Sequence, residues 1–203
     1  MRAETGVLGV VAAVTVVLSI ASMSARSSIA QSGNSPSGAV RSAEGFVDAC
    51  ALLSDKEVAS TLKLDVNPAD RRDDGKLDNR PGYEGSYSST CVWRVSDDKD
   101  KDSVDLPMAG MRFAILNAIT WPKDSGKAAF FLQSFHDAAE HDIIPSKPIP
   151  LTGIGDDALW WGDGVASRVG DVSFGVSVFL QNGDKETQRA MEEALARKIA
   201  GRL

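Results

Sequence analysis

The sequence predicts an α+β domain in which helices pack on an antiparallel sheet of about five strands, in the order helix, two strands, helix, three strands, helix. Three observations carry this. Val172, Phe174, Val176, Val178 and Leu180 alternate with Ser173, Gly175, Ser177 and Gln181, the period of a half-buried strand. Asp163-Gly164 lies between the strand-like runs Asp157–Trp161 and Val165–Val169, and Asp-Gly favours the φ > 0 that a tight hairpin turn needs. Ala128, Phe131, Leu132, Phe135, Ala138 and Ala139 recur at spacings of three and four, the stripe of an amphipathic helix. Antiparallel runs of strands separated by helices belong to the α+β class.

The first thirty residues stand apart. Val7–Met23 is uncharged and apolar, follows Arg2 and precedes small residues, which is the order of an export signal. Ser28-Ile29-Ala30 offers a cleavage site before Gln31, with Ala25 as a second choice. The run also approaches the length of a membrane span, so residues 1–30 read as a signal peptide or a retained N-terminal anchor. Residues 31–45 are small and polar and read as a flexible tether. Residues 46–203, with 43% of the whole chain hydrophobic, suffice for one domain with a real core.

Within that domain Asp48 can cap a short turn through Leu53, and Ser54-Asp55-Lys56-Glu57 has the form of a capping box ahead of Val58 and Leu62. Asn67–Ser89 has no periodicity and mixes charges with glycine and proline, a composition that favours disorder. Thr90–Val95 and Met108–Ala118 read as strands around a solvated turn, Asp97–Asp102. Ser125 can cap the amphipathic helix. Pro145, Pro148 and Pro150 forbid its continuation and set up an extended connection. Asn182-Gly183 turns the chain, and Asp184 caps a last helix whose buried side is expected to be Met191, Ala194, Leu195 and Ile199.

Charge and motifs exclude several functions. Residues 1–30 contain Arg2, Glu4 and Arg26, so without them 22 basic and 28 acidic residues become 20 and 27, a net charge of −7. An acidic exported domain has no electrostatic reason to seek nucleic acid. Cys50 and Cys91 suit an oxidising compartment, where a pair is more often a disulfide than a metal site; two free buried thiols are the alternative. Val47-Asp48-Ala49 ahead of Cys50 argues against lipidation. His136 and Glu140 share a helix face at i and i+4, but His141 falls ~140° away, and the paired histidines of helix-borne zinc sites are absent. Read as calcium loops, Asp70–Gly75 puts Arg72 third and Pro81 twelfth, and Asp98–Asp102 puts Ser103 where glycine is needed, so both fail. Neither a nucleophile elbow nor a dinucleotide fingerprint occurs, and no cofactor is implied.

Two candidates remain. Asp156 and Asp157 could form an acid/base pair, although neighbouring strand residues point to opposite faces. Trp160 and Trp161 cannot both enter one core face, so one should be exposed or lie under the Asn67–Ser89 loop, and an exposed Trp is a good anchor for a partner.

Asp48-Ala49-Cys50-Ala51-Leu52-Leu53-Ser54 with Glu57-Val58, then Cys91-Val92-Trp93, then Gly153-Ile154-Gly155-Asp156-Asp157-Ala158 and a closing helix resembles a family of uncharacterised secreted proteins and lipoproteins best known from actinobacteria. The resemblance covers about Phe46–Leu203. It implies a Cys50–Cys91 disulfide and an α/β/α sandwich of the PsbP-like kind, and it carries over no catalytic residue. The lipid-bearing cysteine of such lipoproteins has no counterpart here. The expected function is a non-enzymatic periplasmic or secreted binding module, for a protein partner or a small apolar ligand held at Trp160 or Trp161. The alternatives are an immunity or inhibitor protein, a hydrolase using Asp156 or Asp157, and a structural envelope component.

Overall fold

The structure, a computed structural model, describes residues 40–96, 112–144, 147–180 and 184–203. The export segment, the tether up to residue 39, the Asp97–Asp102 turn, Met108 to Met111, Pro145 and the Asn182-Gly183 turn lie outside the described residues. The elements are α1 (Ala49–Leu52), α2 (Asp55–Leu62), β1 (Asp70–Arg71), β2 (Gly75–Lys76), β3 (Tyr87–Arg94), β4 (Phe113–Thr120), α3 (Lys127–Glu140), β5 (Ile149–Leu151), β6 (Asp157–Trp160), β7 (Val165–Val169), β8 (Val172–Phe179) and α4 (Lys185–Ala200). The α+β class holds, but the sheet has eight strands rather than five. All its pairings are antiparallel, in the order β1-β3-β4-β8-β7-β6-β5 with β2 also on β3. The three additional strands are two or three residues long, too short to show a period, and β5 contains Pro150, which a strand tolerates at a sheet edge.

Helices cover both faces. Cys91, Trp93, Leu116, Phe174, Val176 and Val178 point to one side and pack with Leu52, Val58 and Leu62 of α1 and α2 and with Leu195 and Ile199 of α4. On the other side Ile119 and Trp121 pack with Ala128, Phe131 and Leu132 at the start of α3. That helix rests on β6, β7 and β8. The alternation of strand side chains therefore sends each strand's apolar residues into one of two cores.

The caps form as the residue types require, with one exception. Asp48 accepts from Cys50 N, Ser54 and Glu57 complete their reciprocal box, and Asp184 accepts from Glu186 N and Thr187 N. Ser125 does not cap α3. Gly126 holds that position at φ 70° with no side-chain cap, and Ser125 Oγ accepts only from Lys127 N, at 3.3 Å.

Glu57 also receives the C-terminal end of the chain: Arg202 Nη2 donates to its Oε1 at 2.6 Å and Nη1 to its Oε2 at 3.0 Å. The Arg202 hydrogen bonds, helped by the Ser54 amide and hydroxyl and opposed by burial, hold the Glu57 carboxyl down at about 2. A depressed carboxyl contributes stability that is present above its ordinary value of 4.5 and is lost as pH falls through that value toward 2. Urea unfolding across this window is expected to show a loss of stability on acidification that Glu57→Gln reduces; equal slopes in both proteins would refute the linkage.

Three expectations are corrected. Val40–Gly45, assigned by composition to the tether, form a turn in which Ser42 N donates to Phe46 O and Asp48 N to Val40 O, and Phe46 stacks on Tyr87 at 4.6 Å. Asn67–Ser89 is ordered. Asp73 accepts from Ser89 Oγ and Thr90 N, Asp78 accepts from Gly85 N, and Leu77 and Tyr83 are buried against Trp121 and Ile119. Its charges serve as local hydrogen-bond partners, which composition alone cannot reveal. The inward side of α4 carries Gln188, Glu192, Leu195, Ala196 and Ile199, with Met191 and Ala194 only half-buried, because polar partners on the sheet draw Glu192 in.

Candidate functional site

Cys50 and Cys91 form a disulfide with Cα atoms 5.1 Å apart, tying α1 to β3. It lies in the main core and is structural.

Trp160 and Trp161 stand on opposite faces, as strand alternation demands, but both are half-buried rather than one buried and one exposed. Neither lies under the Asn67–Ser89 segment, where Trp121 sits instead, 5.1 Å from Tyr83. Trp160 belongs to α4. Its Nε1 donates to Glu192 Oε2 at 2.9 Å, and the Arg189 guanidinium lies 5.3 Å from its ring centre. Glu192 is fully buried; Oε1 accepts from Val178 N and Gln188 Nε2, both at 3.0 Å. Burial pushes its carboxyl up, against the pull of these donors and of Lys185.

Trp161 is the last of a line of rings on the α3 face. From Tyr83 the line passes to Trp121, Phe131, Phe135 and Trp161, with successive centroids 5.1 to 6.2 Å apart. Gly164 fits beneath it because a Cβ there would sit 2.2 Å from Ser177 Oγ and 3.1 Å from Trp161 Nε1.

The acid/base candidates are held apart from this. Asp156 accepts from Arg168 Nη1 at 3.2 Å and from Gly170 N at 2.7 Å, which makes it a loop clasp, and the exposed Asp157 opens β6. His141 Nδ1 lies 2.7 Å from the Asp137 carbonyl oxygen at the end of α3, and among the described residues no three acidic, histidine or cysteine side chains gather as a metal site.

Beyond Trp161 this face continues as a strip across β3, β4, β8 and β7, in which Thr90, Val92, Phe113, Ala166 and Ser177 are buried. Register places Thr90, Asn117, Gly175 and Ala166 side by side across β3, β4, β8 and β7. The next row on the same face is Val92, Ile115 and Ser177, followed by Arg94, Phe113 and Phe179. Ile115, Asn117, Gly175 and Phe179 are half-exposed although they lie on inner strands. Gly175 is the centre of the strip. Its backbone is not left-handed, and a Cβ built on it would meet nothing within 4 Å among the described residues. A mid-strand glycine costs roughly 0.5–1 kcal/mol against alanine, so a glycine needed for neither φ nor contact keeps space open. Beside it Asn117 Nδ2 donates to Ser88 Oγ at 2.9 Å and Thr90 Oγ1 at 2.8 Å. With its amide hydrogens committed, Asn117 has a carbonyl oxygen to offer a ligand. The apolar borders are the ring line on one side and, on the other, Val92, Ile115 and the Phe113–Phe179 stack at 4.7 Å.

A hollow of about 630 Å³ opens where α2 meets the end of β3, lined by Lys56, Ser60, Lys63, Leu64, Asp65 and Val95. It is wide, has no aromatic wall, and faces the helix end whose carbonyls repel the anions that its lysines would attract.

Comparison of the chain with protein-family models, with curated proteins and with solved structures finds no match. The strip therefore rests on its geometry alone. Sequence reasoning missed Asn117, Gly175, Arg94 and Glu192. The available signal was an amide and a glycine in the middle of otherwise apolar strands, Phe113–Thr120 and Val172–Phe179.

Proposed function

We propose that this protein is an exported, non-enzymatic binding module that holds a small, largely apolar ligand on the strip between Trp161 and Phe179. The observation that carries the reading is that Gly175, at the centre of the sheet, has no described side chain packed over it, beside one amide and flanking aromatic and aliphatic side chains. Such a floor orients a ligand by a single polar contact while its walls supply most of the affinity. The uncharged run Val7–Met23 and the Cys50–Cys91 bridge support an oxidising, extracytoplasmic setting. The resemblance to the secreted actinobacterial proteins belongs to the same reading, and helices on both sheet faces are compatible with it. The hydrolase alternative draws no support from Asp156, which Arg168 and Gly170 already engage.

The test uses the uncharged fluorophore N-phenyl-1-naphthylamine. It is expected to bind the mature protein with enhanced emission, and Gly175→Leu, which fills the gap without backbone strain, is expected to weaken binding at least tenfold. The same substitution should leave the urea midpoint unchanged or raise it, since leucine has the better strand propensity. Unaltered probe binding in Gly175→Leu would remove the strip as the site. Trp161→Ala is expected to weaken binding by about 1–2 kcal/mol through loss of the aromatic wall, read from the same titration, whereas Trp160→Ala should lower stability and leave affinity alone.

A further inference from the structure

We infer that the ligand of this strip is an amphipathic monocarboxylate whose head group is held by Arg94; the inference rests on the strip being the binding site. Arg94 closes the row that contains Phe113 and Phe179. Its Nε and Nη2 are shielded from water and make no hydrogen bond among the described residues. The nearest carboxylate oxygen, Asp70 Oδ2, stands 3.9 Å from Nη2 and already accepts from Arg72 Nε at 2.9 Å. Two guanidinium groups thus share one carboxylate oxygen, and among the described residues no other carboxylate is paired with Arg94. Donors without acceptors out of water are costly, and a planar carboxylate is the acceptor whose geometry fits a guanidinium fork.

The dimensions agree. Gly175 lies four residues along the strands and two strands across from Arg94, about 13 Å by about 10 Å or roughly 16 Å backbone to backbone, a span that the Arg94 side chain and a medium-chain fatty acid cover together. Its head would meet Arg94, its chain would cross Ile115 and Phe179, and its end would fill the space over Gly175.

The experiment is displacement of N-phenyl-1-naphthylamine from the mature protein by decanoate and by decanol, which share a chain and differ in the head. Decanoate is expected to displace the probe at a concentration at least tenfold lower than decanol. Arg94→Met, which keeps the stem and loses the donors, is expected to bring decanoate to the level of decanol without changing decanol itself. Arg94→Lys should recover part of the preference. Equal potency of the two in the wild-type protein, or a decanoate preference that survives Arg94→Met, would overturn the assignment while leaving the strip intact. Failure of the probe and of both amphiphiles to bind would overturn strip and head-group site together. If Arg94→Met does not fold, the wild-type ratio and Arg94→Lys decide the matter.

Discussion

Replacing Cys50 and Cys91 by alanine is expected to lower the free energy of unfolding by about 4 kcal/mol, the loss that chain entropy assigns to a bridge closing 41 residues. The closed loop contains α2, β1, β2 and most of β3, so it restrains residues 67–86, whose regular structure is limited to the two-residue strands β1 and β2. Ala49 at the start of α1 depends on the same arrangement: its amide donates to Ser89 Oγ at 3.0 Å, and Ser89 donates in turn to Asp73. Loosening α1 from β3 should therefore free Asn67–Ser89 before the rest of the sheet. Thermal unfolding with and without reductant checks this, with a fall in Tm of roughly 10 °C or more expected for a domain of this size. A Tm unmoved by reduction would contradict it.

The second large effect is expected at Glu192. Glu192→Ala removes the acceptor of three buried donors, Trp160 Nε1, Val178 N and Gln188 Nε2, and leaves a cavity between α4 and the sheet. Stranding those groups should cost about 3 kcal/mol or more in urea unfolding, whereas Glu192→Gln, which retains one acceptor oxygen, should lose about half as much. The pH dependence runs opposite to that of Glu57. Burial raises the Glu192 carboxyl, so above the ordinary value of 4.5 the folded protein retains a proton that the unfolded chain releases. The contribution of this group to stability is therefore greatest below that value and declines as pH rises through the folded one. Lys185 on the same helix tempers the decline without reversing its sign. A Glu192→Gln protein whose stability falls as steeply as wild type with rising pH would exclude this linkage.

Much of the architecture was legible in the sequence because it rests on local rules. The Ser54–Glu57 box, the Asp184 cap and the alternation in β8 each follow from a few adjacent side chains, and the structure contains all of them; the hairpin expected to turn at Asp163-Gly164 turns one residue earlier, with Gly162 at φ 108° and Trp161 N donating to Gly164 O. The disulfide was legible from cysteine number and compartment. What was not legible depends on residues distant in sequence. Leu77 and Tyr83 look like loop residues until Trp121 supplies a surface for them. Glu192 looks like an exposed helix residue until Trp160 and Val178 surround it with donors. The strip proposed as a binding site was hidden for a related reason: Thr90, Asn117 and Gly175 come from three strands and become neighbours only through the sheet register. Trp160 and Trp161 attracted attention as adjacent aromatics, yet one serves α4 and the other borders the strip.

The outermost strands have a bearing on how this protein behaves when crowded with copies of itself. One margin of the sheet is finished by β1 and β2, two residues each, and the other by β5, where Pro150 has no amide hydrogen to give. A strand from another molecule would find at most a few consecutive amide and carbonyl groups before the ladder ran out. Copies of the protein can thus reach high local concentration without templating amyloid-like fibres, even though inner strands such as β4 and β8 are rich in β-branched and aromatic side chains.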